Sequence, residues 1–139
     1  MQLGVKRVDL GLPLPEFKSK EAACFDLYVA EDTILWPFCG KLVKTGLIFD
    51  TPKGFVIEVY LRSSMCKRGI HGSTGICDSD YRGEMRVQAT SVRPWPIFLK
   101  RGDRIGQARL VKLQETEIVQ VVTLRKTERG TSGWGSTGR

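Results

Sequence analysis

Short apolar runs rich in β-branched and aromatic residues alternate along this chain with glycine- and proline-containing turn signals. Residues 55–61 (FVIEVYL) form one such run, and residues 85–89 (MRVQA) alternate strictly between apolar and polar side chains. Residues 97–99 (IFL) and 118–122 (IVQVV) are further strand candidates. Several short strands at roughly regular spacing are typical of a sandwich, jelly roll or barrel. The pattern therefore predicts an all-β fold.

A single short helix is expected directly after Arg62. Ser63 and Ser64 can cap a turn over residues 65–68 (MCKR), because serine hydroxyls accept hydrogen bonds from first-turn amides. We find no internal repeat and no internal linker. The prediction is one β-barrel core over residues 1–124 with at most one short helix.

The last fifteen residues, 125–139, differ in character from this core. Their only large apolar side chain is Trp134, and four glycines and four serines or threonines lie between Gly130 and Gly138. Such a segment buries too little apolar surface to order itself, which favours a flexible tail. An aromatic residue among glycines is also what an arm that closes over a substrate would need.

The length of 139 residues is close to the common size of one domain. No apolar run approaches the ~18 residues that a membrane-spanning helix needs. Residues 1–7 (MQLGVKR) lack the apolar stretch of a secretory signal. We therefore expect a cytoplasmic protein with no membrane partner.

The formal net charge of +7 indicates an anionic partner. Basic residues occur at most in pairs, so the sequence disfavours nucleic acid and favours a small phosphate ester. The four cysteines include no CxxC pair, and the chain has one histidine, so neither a zinc site nor a disulfide framework is predicted. Small buried thiols are expected instead.

Four segments carry candidate chemistry. Asp78 and Asp80, within residues 75–84 (GICDSDYRGE), could act as a base and a structural partner, or could form an ordinary Asx-type turn. Residues 62–64 (RSS) could bind phosphate or simply start a helix. Residues 102–107 (GDRIGQ) look like a hairpin turn, and residues 129–138 could bind phosphate through amides and hydroxyls.

Together and in this order, the segments resemble the five motifs of the trimeric dUTP pyrophosphatase family. The motifs are 23–27 (ACFDL), 62–64, 75–84, 102–107 and 129–138. The resemblance implies a distorted jelly-roll or β-clip-like barrel, assembled as a homotrimer with active sites between subunits. Residues 125–139 would be a mobile arm that closes over a neighbour's site. The implied reaction is Mg²⁺-dependent hydrolysis of dUTP to dUMP and pyrophosphate, which limits uracil incorporation into DNA and supplies dUMP for dTMP synthesis.

The same resemblance implies a role for each matching residue. Asp78 matches the general base that deprotonates the water attacking the α-phosphorus, and Asp26 could hold a water of the Mg²⁺ shell. Tyr81 would pack against deoxyribose and exclude a 2′-hydroxyl. The phosphates would be bound by Arg62, Ser63, Ser64 and Gln107, the uracil edge by the main chain of Gly75, Ile76 and Cys77, and the arm would contribute Arg129, Trp134, Gly135, Ser136 and Thr137.

The chain departs from the family pattern at several positions. Cys24 stands where glycine is usual, and Gly72 where an asparagine often helps to hold the uracil pocket, which puts the rigidity of that pocket in doubt. Gly106 replaces a common alanine, which we expect to be harmless. Trp134 replaces a smaller phenylalanine. None of these changes removes a catalytic role.

Two other functions fit parts of the pattern. A dCTP deaminase of the same superfamily shares an RSS element, but the Asp-x-Asp-Tyr segment and this tail are not expected there. A binding or regulatory protein on the same scaffold would use the positive charge to contact nucleic acid. Ammonia release from dCTP would identify the first, and a salt-dependent gel shift with DNA would support the second.

Overall fold

The structure, a computed structural model, describes residues 2–133. Within them the chain forms eleven β-strands and one short helix, so the all-β prediction with a single helix is confirmed. In chain order the elements are β1 (Gly4–Arg7), β2 (Phe25–Tyr28), β3 (Thr33–Leu35), β4 (Gly40–Lys44), β5 (Leu47–Asp50), β6 (Phe55–Leu61), α1 (Ser63–Lys67), β7 (Ile70–His71), β8 (Gly75–Cys77), β9 (Arg86–Ser91), β10 (Ile97–Leu99) and β11 (Arg104–Lys112).

The strands form four antiparallel groups. A four-stranded sheet has the order β2-β11-β6-β8, and a three-stranded sheet has the order β4-β9-β7. Two further ladders pair β1 with β5 and β3 with β10. Because non-consecutive strands are neighbours in the larger sheets, segments far apart in sequence meet there. This arrangement places the first four family-like motifs on or beside one sheet.

The core follows from the alternation along each strand. In β9, Val87, Ala89 and Ser91 are buried while Arg86 and Gln88 are exposed, as a period of two residues requires. Burying one large aliphatic side chain contributes about 1.5–3 kcal/mol relative to leaving it exposed. The largest fully buried apolar side chains are Leu27, Leu35, Leu47, Ile57, Ile70, Leu99 and Ile105.

The structure corrects three expectations. The helix begins at Ser63, but its N-cap is Arg62, and no side chain caps it. Residues 118–122 form no strand, and Ile118 is 96% exposed. None of the four cysteines is buried, although all four are free thiols.

Over the residues described, no helix has the length and apolarity to cross a membrane.

Candidate active site

The candidate phosphate-binding residues lie at one end of the four-stranded sheet. Arg62 directly follows β6, and its amide donates a hydrogen bond to the Ile105 carbonyl of β11 at 3.1 Å. On β11, Gln107 is paired with Tyr60 on one side and with Asp26 of β2 on the other. The sheet therefore brings together residues from the first, second and fourth motifs.

Asp26 joins two arginines at this end of the sheet. Its Oδ1 lies 3.2 Å from Nη1 of Arg62, and its Oδ2 lies 3.2 Å from Nη1 of Arg104. Asp26 is buried, so its charge is stabilised mainly by these two guanidinium groups. Because both carboxylate oxygens already face arginines, Asp26 fixes the direction in which Arg62 points. The sequence reasoning missed Arg104, although it stands within the predicted 102–107 segment.

Three guanidinium groups surround a small cavity beside the helix. The cavity, of about 280 Å³, is lined by Arg62, Ser64, Met65, Arg68, Asp103 and Arg104. Two carboxylates face these groups, Asp103 at 3.8 Å from Arg68 and Asp26 at 3.2 Å from both Arg62 and Arg104, which leaves one positive charge in excess. An excess of guanidinium groups suits an oxyanion, because each offers several donors in one plane. The geometry here supports phosphate binding by Arg62 and Ser64.

A second polar group lies on the outer face of the same sheet, next to Gln107. Arg109 donates a hydrogen bond from Nε to Glu58 Oε2 at 2.9 Å, and its Nη2 lies 2.9 Å from the same oxygen. The Tyr60 hydroxyl also donates to this carboxylate. The hydrogen bond from Tyr60, followed by that from Arg109, lowers the pKa of Glu58 below its ordinary value. Arg109 also lies over the Tyr60 ring, 5.7 Å from its centre. These contacts hold Tyr60 in place beside Gln107.

The third motif forms a separate cleft on the other side of β6. This cleft has a volume of about 430 Å³ and is lined by Gly75, Ile76, Cys77, Asp78, Tyr81, Leu42, Val59, Glu84, Met85 and Arg86. Strand β8 is an edge strand, paired only with β6 within the described residues. Its outer edge therefore presents backbone N–H and C=O groups that can read the edge of a base. Burial raises the pKa of the Cys77 thiol, which keeps it neutral near this surface.

Asp78 lies in the turn that follows β8. The Tyr81 amide donates to the Asp78 carbonyl at 3.2 Å, and this closes the turn. Arg82 braces it by donating to the carbonyls of Ser79 and Tyr81 at 2.7 and 3.1 Å. The same guanidinium bonds Asp50 of β5 at 2.8 Å. Arg82 thus ties the turn that carries Asp78 to the neighbouring ladder.

The sequence reasoning assigned this bracing to Asp80. The Asp80 side chain, however, is exposed and forms no hydrogen bond among the residues that the structure describes, so Arg82 performs the role instead. An arginine can bond two carbonyls and a carboxylate at once, because its five N–H donors are arranged as a fork. A carboxylate accepts only, and so it could not have held the carbonyls of the turn.

Tyr81 is positioned by Gly83. A Cβ added to Gly83 would lie 2.2 Å from the Tyr81 hydroxyl oxygen and 2.9 Å from a ring carbon, so any side chain there would displace the ring. The Tyr81 hydroxyl also donates to the Glu84 carbonyl at 3.4 Å. Glu84 in turn accepts a hydrogen bond from the Gly46 amide at 2.8 Å. Tyr81 is therefore held at the mouth of the cleft that contains Asp78.

The two unusual glycines each have a steric reason. A Cβ on Gly72 would lie 2.2 Å from the Gln88 carbonyl oxygen, so this backbone admits no larger residue at that position. A Cβ on Gly106 would lie 2.8 Å from a Val87 methyl group and 3.0 Å from the Tyr60 carbonyl oxygen. The packing of β9 therefore leaves no room for a side chain at Gly72, whereas at Gly106 a Cβ would press on the Val87 side chain and the Tyr60 carbonyl.

Within one chain, Asp78 and Arg62 do not lie close together. Strand β8 runs antiparallel to β6 with Cys77 opposite Ile57, and Arg62 stands five positions beyond Ile57. At about 3.3 Å per residue, Arg62 lies roughly 17 Å along β6 from the level of Cys77. Asp78 and Arg62 therefore occupy opposite ends of the sheet, too far apart to contact neighbouring phosphates of one nucleotide.

The fifth motif falls largely outside the described residues. Arg129 lies within them and is exposed, in a segment of turns without strands. Trp134, Gly135, Ser136 and Thr137 lie outside them. No group of three or more histidines, cysteines or carboxylates that could hold a metal ion occurs over residues 2–133.

Comparison with known proteins gives a consistent result. The family described as dUTPase matches residues 11–138. The deoxyuridine 5′-triphosphate nucleotidohydrolase of Nautilia profundicola is 38% identical over 142 residues, covering 100% of both chains. The enzyme of the same name from Mycobacterium marinum is 40% identical over 145 residues, covering 98% of this chain and 94% of its own.

Solved structures show the same fold. The Staphylococcus bacteriophage 80alpha dUTPase with dUPNHPP superposes with a TM-score of 0.90 at 23% identity, covering 99% of both chains. A mutant dUTPase from phage phi11 of S. aureus, whose structure details the coordination of a structural Mg(II) ion, superposes with a TM-score of 0.81 at 21% identity. It covers 88% of this chain and 98% of its own. At these identities the likeness concerns the fold.

Proposed function

Because this chain belongs to the dUTPase family, it hydrolyses dUTP to dUMP and pyrophosphate, and we propose that it does so at sites shared between the subunits of a homotrimer. The observation that carries this proposal is the separation of Asp78 from Arg62 along β6. A nucleotide that contacts both residues needs Asp78 from one subunit and Arg62 from another. A cyclic assembly with identical interfaces supplies such a pair at each interface.

Exposed apolar residues in the segment after β11 support an oligomer. Beyond Lys112 the described chain continues without a strand. Ile118 and Val122 are almost wholly exposed in a single chain, although the segment is rich in β-branched residues like a strand. A neighbouring subunit is the nearest source of a surface that would cover them. We propose that residues 1–124 form the core subunit and residues 125–139 the arm that reaches a neighbour's site.

The catalytic step uses Asp78 as the general base. Its carboxylate lines the cleft of the third motif, in a turn held by Arg82, where it can take a proton from a water attacking the α-phosphorus. Pyrophosphate then leaves on the opposite side. Arg62, whose direction is set by Asp26, binds the phosphates together with Ser63, Ser64 and Gln107 and neutralises developing charge.

Mg²⁺ would be bound at this site mainly by the phosphate oxygens of the substrate. Mg²⁺ is commonly bound through one or two carboxylates together with substrate phosphates, and the described residues offer no larger cluster of carboxylates. When bound, it would orient the triphosphate and neutralise its charge. Asp26 can contribute only through a bridging water, since its own oxygens contact arginines.

Selectivity for deoxyuridine follows from the cleft of the third motif. The unpaired edge of β8 at Gly75, Ile76 and Cys77 would pair with the polar edge of uracil, so a wrong base would leave buried polar groups unpaired. Tyr81, held over Gly83, would pack against the sugar and leave no space for a 2′-hydroxyl. The arm, with Arg129 and Trp134, Gly135, Ser136 and Thr137, would close over the bound nucleotide. The substrate of the reaction belongs to the nucleotide pool, and we propose that the protein acts in the cytoplasm.

Subunit mixing tests the shared site directly. Asp78→Asn and Arg62→Ala should each be nearly inactive alone, because every site lacks one half. After subunit exchange in a one-to-one mixture, about one quarter of the sites should combine two unaltered halves and regain dUTP hydrolysis. A mixture of Asp78→Asn with Asp78→Asn,Arg62→Ala is the matched control and should regain none. No recovery in mixed trimers verified by mass spectrometry would refute the shared site.

Substrate selectivity is checked in the same assay. Pyrophosphate release should be rapid with dUTP and much slower with dTTP, dCTP and UTP, and it should require Mg²⁺. Ammonia release from dCTP would instead indicate a deaminase.

A further inference from the structure

The ladder of β3 and β10 carries an exposed aromatic surface outside the cleft of the third motif. Four side chains on or beside this ladder are between 56% and 69% exposed: Trp36, Phe38, Trp95 and Phe98. We call these four residues the aromatic face. None of the candidate dUTP-binding residues lies on this ladder. Contiguous exposed aromatic surface usually marks a binding site.

Strand register places Trp36 and Phe98 on the same outer surface. Leu35 and Ile97 are paired and buried, so the neighbouring positions on each strand point outward. Phe98 is opposite Ile34, which makes Trp36 its diagonal neighbour at about 7–8 Å on the outer side. A parallel bridge between Pro37 and Ser91 then brings the turn after Trp36 against the segment that leads to Trp95.

Phe38 has an unfavourable backbone conformation in this surface. Its φ of 58° lies in the left-handed region, and it is the one non-glycine residue with positive φ among those described. That conformation is unfavourable for a bulky side chain. The ring is 69% exposed, so burial within the chain does not offset the cost. Strain of this kind persists at functional surfaces more often than elsewhere.

Cations border the aromatic face. The Arg93 guanidinium carbon lies 5.6 Å from the centre of the Trp95 ring, and Arg68 donates to the Phe98 carbonyl at 2.9 Å. Lys100 follows two positions after Phe98 and is exposed. Two carboxylates lie at this border: Asp103, 3.8 Å from Arg68, accepts the Lys100 amide at 3.0 Å, and Asp32 accepts the Arg101 amide at 2.7 Å. The border therefore keeps an excess of positive charge that no basic run in the sequence reveals.

We propose that the aromatic face binds single-stranded nucleic acid. Unpaired bases would stack on Trp36 and Phe98, and the phosphates would contact Arg68, Arg93 and Lys100. Aromatic residues on the outer face of a β-ladder, bordered by cations, provide both interactions that such strands require. A duplex would bind less well, since its bases are already stacked within the helix. This activity is distinct from dUTP hydrolysis, although Arg68 borders both the aromatic face and the cavity beside α1.

The test is fluorescence anisotropy of the full-length protein with a labelled single-stranded oligodeoxycytidylate. A saturating non-hydrolysable dUTP analogue keeps the probe out of the nucleotide site. Trp36→Ala and Phe98→Ala should each weaken binding about 5- to 100-fold, as expected for the loss of one stacked base. Phe17→Ala removes an equally exposed ring elsewhere and should leave binding unchanged. All three variants should retain dUTP hydrolysis, which verifies folding.

Salt and competing partners complete the test. Arg93→Ala should reduce the slope of log affinity against log salt by about one, because one phosphate contact is lost. Equal affinity for a duplex of matching length, or alanine variants that bind as well as the parent, would refute the proposal. So would binding to phosphatidylserine vesicles without binding to the oligonucleotide. Self-association abolished by Trp36→Ala, with no oligonucleotide bound, would assign the aromatic face to contacts between copies.

Discussion

The carboxylate of Asp26 offers a sharp test of how the site is built. Asp26→Asn keeps the shape of the side chain but removes the charge that holds Arg62 and Arg104, each at 3.2 Å. Arg104 donates a hydrogen bond to Asp26, and Arg62 forms an ion pair with it. Removing one partner of a fully buried ion pair costs about 3–5 kcal/mol, and a pair that is partly exposed costs less. Arg62 is 24% exposed and should account for most of the loss, whereas Arg104 is 47% exposed and should add less than about 1 kcal/mol.

The expected change is therefore a loss of about 2–3 kcal/mol in the free energy of unfolding. Freed from Asp26, Arg62 should also bind the phosphates less well, and the KM for dUTP should rise about tenfold, which corresponds to ~1.4 kcal/mol. Urea unfolding at fixed protein concentration and steady-state hydrolysis measure the two effects. Asp103→Asn, which removes an exposed partner 3.8 Å from Arg68, is the control and should cost less than about 1 kcal/mol.

The Mg²⁺ requirement separates the two roles open to Asp26. If Asp26 acts by anchoring Arg62, the Mg²⁺ concentration for half-maximal rate should be unchanged in Asp26→Asn. An unchanged unfolding curve together with a strongly increased Mg²⁺ requirement would refute the anchoring argument. It would place Asp26 in the metal shell instead.

Three further predictions follow from the same geometry. Asp78→Asn should lower the single-turnover rate of dUTP hydrolysis by about 10²–10⁴-fold with little change in analogue binding, because a general base acts in the transition state; a fast variant would place the base elsewhere. Arg82→Ala should lower kcat about tenfold, because the turn that carries Asp78 loses its hydrogen bonds from Arg82. Arg82→Lys should restore little of the lost kcat, because lysine lacks the planar fork of donors. Full recovery of kcat in Arg82→Lys would contradict this. Since hydrogen bonds from Tyr60 and Arg109 lower the pKa of Glu58, its contribution to stability is present above its ordinary pKa of 4.5 and is lost as the pH falls through the lowered value. Glu58→Gln should therefore unfold with a weaker dependence on pH in that acid range, and an unaltered acid limb in urea titrations would show that Glu58 does not contribute.

Local pattern was sufficient for much of the secondary structure. The runs at 55–61 and 97–99 became β6 and β10 with the predicted bounds, because each is rich in apolar β-branched and aromatic residues and is bounded by a turn. Residues 118–122 are equally rich in β-branched residues but form no strand within one chain. A strand needs a partner for its backbone groups, and for this segment none of the described residues supplies one. The β-propensity of residues 118–122 therefore identified a potential strand. Whether that strand forms depends on another surface that supplies partners for its backbone groups.

The sequence by itself determined the all-β class, the order of five motifs and the chemistry that each residue type can perform. Only the tertiary structure decided which of them meet. Asp26, Arg62 and Arg104 are far apart along the chain, and the strand order β2-β11-β6 makes them neighbours. The register of β8 on β6 separates Asp78 from Arg62. Pairing between distant strands is set by the packing of the whole core, because a shift of one residue would turn every buried side chain outward.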